Sequence, residues 1–272
     1  MRSEEMRRIT KKSLLYKSQV EYANFCINHV QGCSHGCKYP CYAMMMAKRF
    51  GKIKNYDDWR NPALVKNALE LLDSEIPKYK DQIKFVHLSF TTDPFMRGFP
   101  EVKDLTLKII EKLNKNKIKS SVLTKGIYPK ELKDKNRYGF DNLYGITLVS
   151  LAEKFRKSFE PFSALFEERI RALEYLHNAG LKTWVSMEPY PTPNLITQDL
   201  RTILNRISFV DRIIFGKLNY NVHVSEFGSN IDFYENCAET VIKFCEKKGI
   251  DYHIKYGTQK EYNKKTELVL SA

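Results

Sequence analysis

The chain has 272 residues, 43% hydrophobic and 28% charged, which excludes a disordered polymer and suits one domain with a substantial core. No apolar run approaches the roughly 18 residues of a membrane-spanning helix, and residues 1–8 lack the apolar stretch of a secretion signal. A cytoplasmic protein that binds no membrane is expected, with its six cysteines reduced and a net charge of +13.

In chain order, a basic N-terminal arm (1–19) carries Arg2, Arg7, Arg8, Lys11, Lys12 and Lys17. A first strand is expected over 21–27, followed by a glycine-punctuated loop, Gly32-Cys33-Ser34-His35-Gly36-Cys37-Lys38-Tyr39-Pro40-Cys41-Tyr42-Ala43. Residues 57–79 are compatible with a helix, and β-branched or aromatic runs predict strands at 84–90, 118–124 and 142–149. Between the first two of these, Val102, Leu105, Ile109, Ile110 and Leu113 recur at helical spacing. Pro161 is expected in the first turn of a further helix with the apolar stripe Phe162, Leu165, Phe166, Ile170, Leu173, Leu176. Within it Glu167 stands one turn before Arg171, and Gly180 closes it. Strands at 182–187 and 212–215, a helix near 231–248 and a weak seventh strand at 251–254 complete the pattern, with a tail at 256–272.

About six βα units over 20–255 imply an α/β fold with a parallel sheet, either an open doubly wound sheet or a partial barrel. Chemistry in both collects at the carboxyl ends of the strands, and the cysteine loop follows the first strand.

Three chemistries compete for Cys33, Cys37 and Cys41. Structural zinc normally takes four ligands, often from paired C-x2-C spacings, and here His35 or His29 would have to supply the fourth. Disulfides are disfavoured by compartment and by the odd local count. An iron–sulfur cluster accepts thiolates from one loop and normally uses four; three leave one iron open to a ligand.

The core G-C-S-H-G-C-K-Y-P-C-Y-A resembles the radical S-adenosylmethionine (SAM) superfamily, in particular its spore photoproduct lyase branch with the relatives called DNA repair photolyases. The likeness continues at successive strand ends: Ser89-Phe90-Thr91-Thr92-Asp93-Pro94, Leu123-Thr124-Lys125 and Ser186-Met187-Glu188-Pro189. It spans roughly residues 20–220. One departure is local. Pro40 makes the spacing C-x3-C-x3-C where the superfamily has C-x3-C-x2-C, so a wider turn must precede Cys41.

The resemblance implies a partial (β/α)6 TIM-like barrel with the cluster loop after strand one. It also implies a [4Fe-4S] cluster on Cys33, Cys37 and Cys41 whose fourth iron chelates the amino and carboxylate groups of SAM. One electron, from a donor such as a flavodoxin or ferredoxin, would cleave SAM to methionine and a 5′-deoxyadenosyl radical, which abstracts hydrogen from a substrate. By the same resemblance Tyr42 packs near the adenine, Thr92 and Asp93 meet the SAM amino group, and Lys125 pairs with its carboxylate. Thr147 or Ser150 offers a further hydroxyl, and Glu188, at the mouth of the barrel, reaches the ribose or the substrate or forms an ion pair. Read as ordinary structure, Tyr42 caps the loop, Asp93-Pro94 starts a turn and Lys125 is a surface lysine. Cys26, Cys237, Cys245 and Met44-Met45-Met46 are expected to pack as small or flexible apolar groups.

The name-giving lyase of that branch has a hydrogen-donating cysteine directly before its T-S-D segment, where this chain has Phe90 or Thr91. A different substrate is therefore expected. Residues 111–137 carry nine Lys or Arg against three acids, a field that favours nucleic acid, although solvated lysines on an ordinary surface give the same composition. Two other readings stand beside this one. The first is a non-catalytic iron–sulfur or zinc protein that binds nucleic acid through its basic face. The second is an enzyme of phosphorylated metabolites, for which neither G-x-G-x-x-G nor G-x-x-x-x-G-K-[ST] occurs.

Overall fold

The structure, a computed structural model, describes residues 6–18 and 23–259. Eleven strands form among these residues: β1 (Arg7–Ile9), β2 (Leu15–Lys17), β3 (Phe25–Ile27), β4 (Val30–Gln31), β5 (Ala63–Val65), β6 (Phe85–Leu88), β7 (Lys119–Thr124), β8 (Leu143–Thr147), β9 (Lys182–Tyr190), β10 (Arg212–Lys217) and β11 (Asp251–Ile254). The main sheet runs β11-β10-β9-β8-β7-β6-β3-β2. Its strands are parallel from β3 to β11, and β2 adds an antiparallel edge beside β3. The two ends do not pair with each other among the described residues, so the sheet is an open, barrel-like row rather than a closed barrel. No helix among the described residues is long and apolar enough to cross a membrane.

Alternation along the strands decides which face does what, because successive side chains point to opposite sides. Val86, Leu88, Val122, Tyr144, Ile146, Val185, Met187, Ile213 and Phe215 are buried in the main core. That core takes its other half from the helices Pro100–Lys115, Phe166–Asn178 and Asn230–Lys248, through residues such as Ile109, Ile110, Leu113, Ile170, Leu173 and Val241. The opposite parity presents His87, Leu123, Thr147, Ser186 and Glu188 to a cavity. Helices cover one face, and the other is left for chemistry.

Several expectations change. The strand at 21–27 is described from Phe25; Glu21 and Tyr22 lie outside the described residues, as do Met1 to Glu5 of the arm and 260–272 of the tail. The arm was expected outside the βα units, yet Arg7–Ile9 and Leu15–Lys17 join the sheets. Glu75 holds Leu14 and Leu15 in place, accepting from both backbone N–H groups at 2.7–3.1 Å. The helix compatible with 57–79 is two helices, Tyr56–Arg60 and Ala68–Tyr79, separated by β5. Pro62 has no N–H to continue the first.

The helix expected from Pro161 begins at Phe166, capped by Glu168 accepting from the Leu165 N–H at 3.0 Å. Residues 160–165 form a loop instead, because Glu160 and Ser163 are held in a buried network described below. A short helix, Glu153–Phe159, precedes that loop.

A second, three-stranded sheet, β1-β5-β4, lies beside the main one. It fixes the start of the cysteine loop: Gln31 pairs with Ala63, and two residues later the Cys33 N–H donates to the Trp59 carbonyl at 2.9 Å.

Candidate active site

The cysteine loop joins β4 to the helix Tyr42–Arg49 and is held from three sides. On one side the Tyr56 hydroxyl donates to the Gly36 carbonyl at 2.6 Å. On the second, the Lys38 N–H donates to the Phe159 carbonyl at 2.8 Å and the Phe162 N–H to the His35 carbonyl at 3.3 Å. On the third, the Thr92 hydroxyl donates to the Gly32 carbonyl and the Ser34 hydroxyl to the Arg97 carbonyl. Gly36 has φ +58, and a Cβ there would run into the Tyr56 hydroxyl and the Phe162 ring, so no larger residue fits this crossing.

The three thiols converge on one cavity of about 420 Å³, within the range of small-molecule sites. Cys33, Cys37, Cys41 and Tyr42 line one wall; Thr92, Asp93, Lys125, Thr147, Ser186 and Glu188 line the strand-end wall. Ser150 instead accepts from the Ala152 N–H at 3.1 Å and sits in the turn after β8. His29 is fully buried between Thr106 (2.7 Å) and Ser89 (3.3 Å), which occupy both ring nitrogens, so it does not complete a metal site with the cysteines. Cys26, Cys237 and Cys245 are buried in the fold, and Met44 packs beside Ile53 and Trp59.

Asp93 is a hub. One oxygen accepts from the Thr124 hydroxyl (2.7 Å) and the Phe95 N–H (2.8 Å), the other from the Lys125 N–H (2.7 Å). The second oxygen also lies 3.0 Å from His35 Nε2, without the alignment of a hydrogen bond. Burial would raise the Asp93 pKa, but His35 and these donors together hold it below the usual carboxylate range.

Lys125 enters the same cavity. Its Nζ donates to Glu160 Oε1 at 2.7 Å, lies 3.7 Å from Cys37 Sγ and sits 4.7 Å above the centre of the Tyr39 ring. Glu160 and Arg169 are both 0% exposed and paired at 2.6 Å. The Tyr39 hydroxyl donates to Glu160 at 2.6 Å, and Arg169 also donates to the carbonyls of Ala164 (3.1 Å) and Thr147 (2.9 Å). The turn that Pro40 widens before Cys41 is thereby anchored: the buried Tyr39 ring stacks on Phe159 at 5.6 Å.

Burial pushes the Cys37 thiol up to about 12, with Lys125 opposing and Glu160 reinforcing the rise. Burial, then the charges of Asp93 and Cys37, push Cys33 well above the ordinary thiol value. Unaided, these two thiols stay protonated at neutral pH; a cation bound among them would ionise them. Among the described residues, no three His, Cys, Asp or Glu side chains are close enough to hold one metal ion. With both ring nitrogens of His29 taken, the three thiols lack the fourth ligand that structural zinc normally uses, whereas a four-iron cluster can keep one iron open. The donor set fits a cluster better than a single ion.

The rim carries Tyr42 and Tyr220, both more than half exposed, with ring centres 6.5 Å apart and planes at 25°. Lys217, Asn219 and Lys255 also line this end, and Lys255 pairs with Glu188 at 2.5 Å. Gly216 makes room for that pair: a Cβ there would stand 3.1 Å from both side chains.

The profile of the family described as the Radical SAM superfamily matches residues 27–207, about two thirds of the chain. The chain belongs to the radical SAM superfamily. It is an enzyme of the radical SAM class. The uncharacterized protein MJ0683 of Methanocaldococcus jannaschii is 30% identical over 197 residues, 71% of this chain and 70% of that protein. The uncharacterized protein ORF301 of Acidianus two-tailed virus is 25% identical over 228 residues, 80% and 72% of the two chains.

Among solved structures, spore photoproduct lyase complexed with dinucleoside spore photoproduct superposes with a TM-score of 0.68 at 15% identity, over 91% of this chain and 80% of that one. SuiB of Streptococcus suis bound to its precursor peptide SuiA gives 0.54 at 15% identity, over 85% of this chain and 48% of that one. At such identities these likenesses show the fold.

For this radical SAM protein the sequence pointed to the residues on the cavity walls but not to the network behind them. Glu160, Arg169 and the anchoring role of Tyr39 were missed. One signal was available: Arg169 occupies a position of the apolar stripe Phe166, Ile170, Leu173, where a charge is stable only with a buried partner.

Proposed function

We propose that this radical SAM enzyme holds a [4Fe-4S] cluster on Cys33, Cys37 and Cys41, binds SAM across the cavity, and abstracts hydrogen from a substrate entering at the Tyr42–Tyr220 rim. The observation that carries this reading is one cavity with three thiols on one wall and polar strand-end side chains on the other. When bound, the cluster and SAM supply a 5′-deoxyadenosyl radical, given one electron from a donor such as a flavodoxin or ferredoxin.

The chain's own residues bind and orient. Lys125 presents an ammonium, Thr147 a hydroxyl and Glu188 a carboxylate to the cavity, suited respectively to the carboxylate, amino and ribose groups of SAM. Thr92 and Asp93 bear on SAM through the backbone they brace: Thr92 fixes Gly32, and Asp93 ties the cysteine loop to the end of β7. Tyr42 offers its exposed ring to the adenine.

Nucleic acid is the substrate class we favour. The net charge is +13, and the rim combines stacked tyrosines with Lys217 and Lys255, the combination that grips bases and phosphates. Spore photoproduct lyase is complexed with a dinucleoside, SuiB with a peptide.

Chromatography of a reduced, anaerobic incubation with SAM tests the reaction: 5′-deoxyadenosine should accumulate, and none above a cluster-free control removes the proposal. A titration with single-stranded oligonucleotide tests the substrate class. Affinity should fall steeply with salt, and no binding at low ionic strength strikes out nucleic acid.

A further inference from the structure

The buried group at Lys125 contains two cations, Lys125 and Arg169, and one carboxylate, Glu160. One positive charge is left in excess at a place where an uncompensated charge is costly. The nearest group able to cancel it is Cys37, whose sulfur lies 3.7 Å from Lys125 Nζ. Nothing in this arrangement is loose: Glu160 accepts from Tyr39 (2.6 Å), Arg169 (2.6 Å) and Lys125 (2.7 Å), and Arg169 is tied to two backbone carbonyls. The side chain of Lys125 is only 16% exposed and its head rests on the Tyr39 ring. An ammonium held in this way has one N–H directed at Glu160, one at the sulfur and one left for the cavity.

We infer that Glu160 is a positioning residue that fixes Lys125 as a hydrogen-bond donor to the Cys37 thiolate, and that this pair sets the reduction potential of the iron site. The inference rests on the reading that Cys37 is a cluster ligand. Donors to ligand sulfurs, and charges close to them, are among the means by which a protein sets such potentials. A cation beside the sulfur favours the reduced, more negative state, and an anion opposes it. The same network accounts for Tyr39: next to Pro40, which lengthens the spacing to Cys41, it ties the ligand loop to the carboxylate that orients Lys125.

The test is an EPR-monitored redox titration of anaerobically reconstituted full-length protein, with iron measured on the same samples, for the unaltered chain, Lys125→Met and Glu160→Gln. Lys125→Met removes the cation and the N–H···S contact, so the midpoint should move to more negative potential. Glu160→Gln keeps the shape, removes the anion and should move it to more positive potential. Opposite shifts at equal iron content support the inference, since loosening of the loop alone would not reverse its sign with the charge removed. If Glu160→Gln fails to fold, Lys125→Met decides alone. A Lys125→Met midpoint equal to or above that of the unaltered protein at full iron content overturns the inference. Absence of iron from the unaltered protein overturns instead the reading beneath it.

Discussion

Two sets of ion pairs within the same molecule behave differently. Around Glu160 the carboxylate and Arg169 are fully buried and held by several hydrogen bonds each, Lys125 is mostly buried, and the group sits against the candidate ligand loop. Along the basic stretch 111–137 the charges divide among the end of the helix Pro100–Lys115, the strand β7 and, after it, a 3-10 turn (Lys130–Lys133) and a short helix (Lys135–Tyr138). At least five find carboxylates, including Lys112 with Asp73, Lys115 with Glu111 and Arg137 with Glu111. Most of these pairs stand in solvent, where screening and side-chain entropy leave them little net effect. Lys125 belongs to both sets: it lies inside the basic stretch in sequence and inside the buried network in space. Charge density along the chain therefore says little about which cation matters. Burial and the number of fixed partners decide it.

The largest expected contrast comes from opening the buried network. Arg169→Met takes one of three donors from Glu160 and leaves the Ala164 and Thr147 carbonyls without theirs, and should lower stability by roughly 3–5 kcal/mol, read from urea unfolding midpoints. A loss near zero would mean that water reaches Glu160 and that the network is not the rigid element described here.

A pH series probes the buried set next. Burial, the leading cause, lowers His29 and His87 to about 3, far below the ordinary value. The unfolded chain then binds protons that the folded chain does not between about pH 6.5 and pH 3, so stability is full above that window and is lost as pH falls through it. Urea midpoints should decline from about pH 6.5 downward, by at most about 1.4 kcal/mol per pH unit for each histidine. Glu160 and Asp93, both held below their ordinary values, add their own losses only as pH falls beneath the usual carboxylate range. A midpoint flat from pH 7 to pH 4.5 would show that neither histidine is sealed from water.

Smallest of all, Arg137→Ala should leave the urea midpoint unchanged within error, although it breaks a 2.8 Å pair with Glu111. A drop comparable to that of Arg169→Met would erase the distinction between the two sets.

The sequence carried the main sheet well because each strand core is a short β-branched or aromatic run ending in polar residues, as at Ser186-Met187-Glu188. It did not carry β1, the edge strand β2, β4 and β5, which have two or three residues each, too few for a period to appear. It misplaced the helix start at Pro161 because a proline followed by an apolar stripe reads as a first turn. The competing claim, a buried carboxylate at Glu160 holding the chain in a loop, depends on partners at Tyr39, Lys125 and Arg169, far apart in sequence. Cysteine spacing and strand-end motifs are local and could be read. Ion pairing across the fold is not local. Only the charged residue in an otherwise apolar helix stripe hinted at it.

The central claim is that Cys33, Cys37 and Cys41 together hold an iron–sulfur cluster. Iron and sulfide analysis with EPR of anaerobically reconstituted protein measures this most directly. The expected result is about four irons per chain, lost when any one of the three becomes Ala and retained in Cys237→Ala. Equal iron in the variant lacking all three, or one tetrahedral zinc in place of iron, would contradict it.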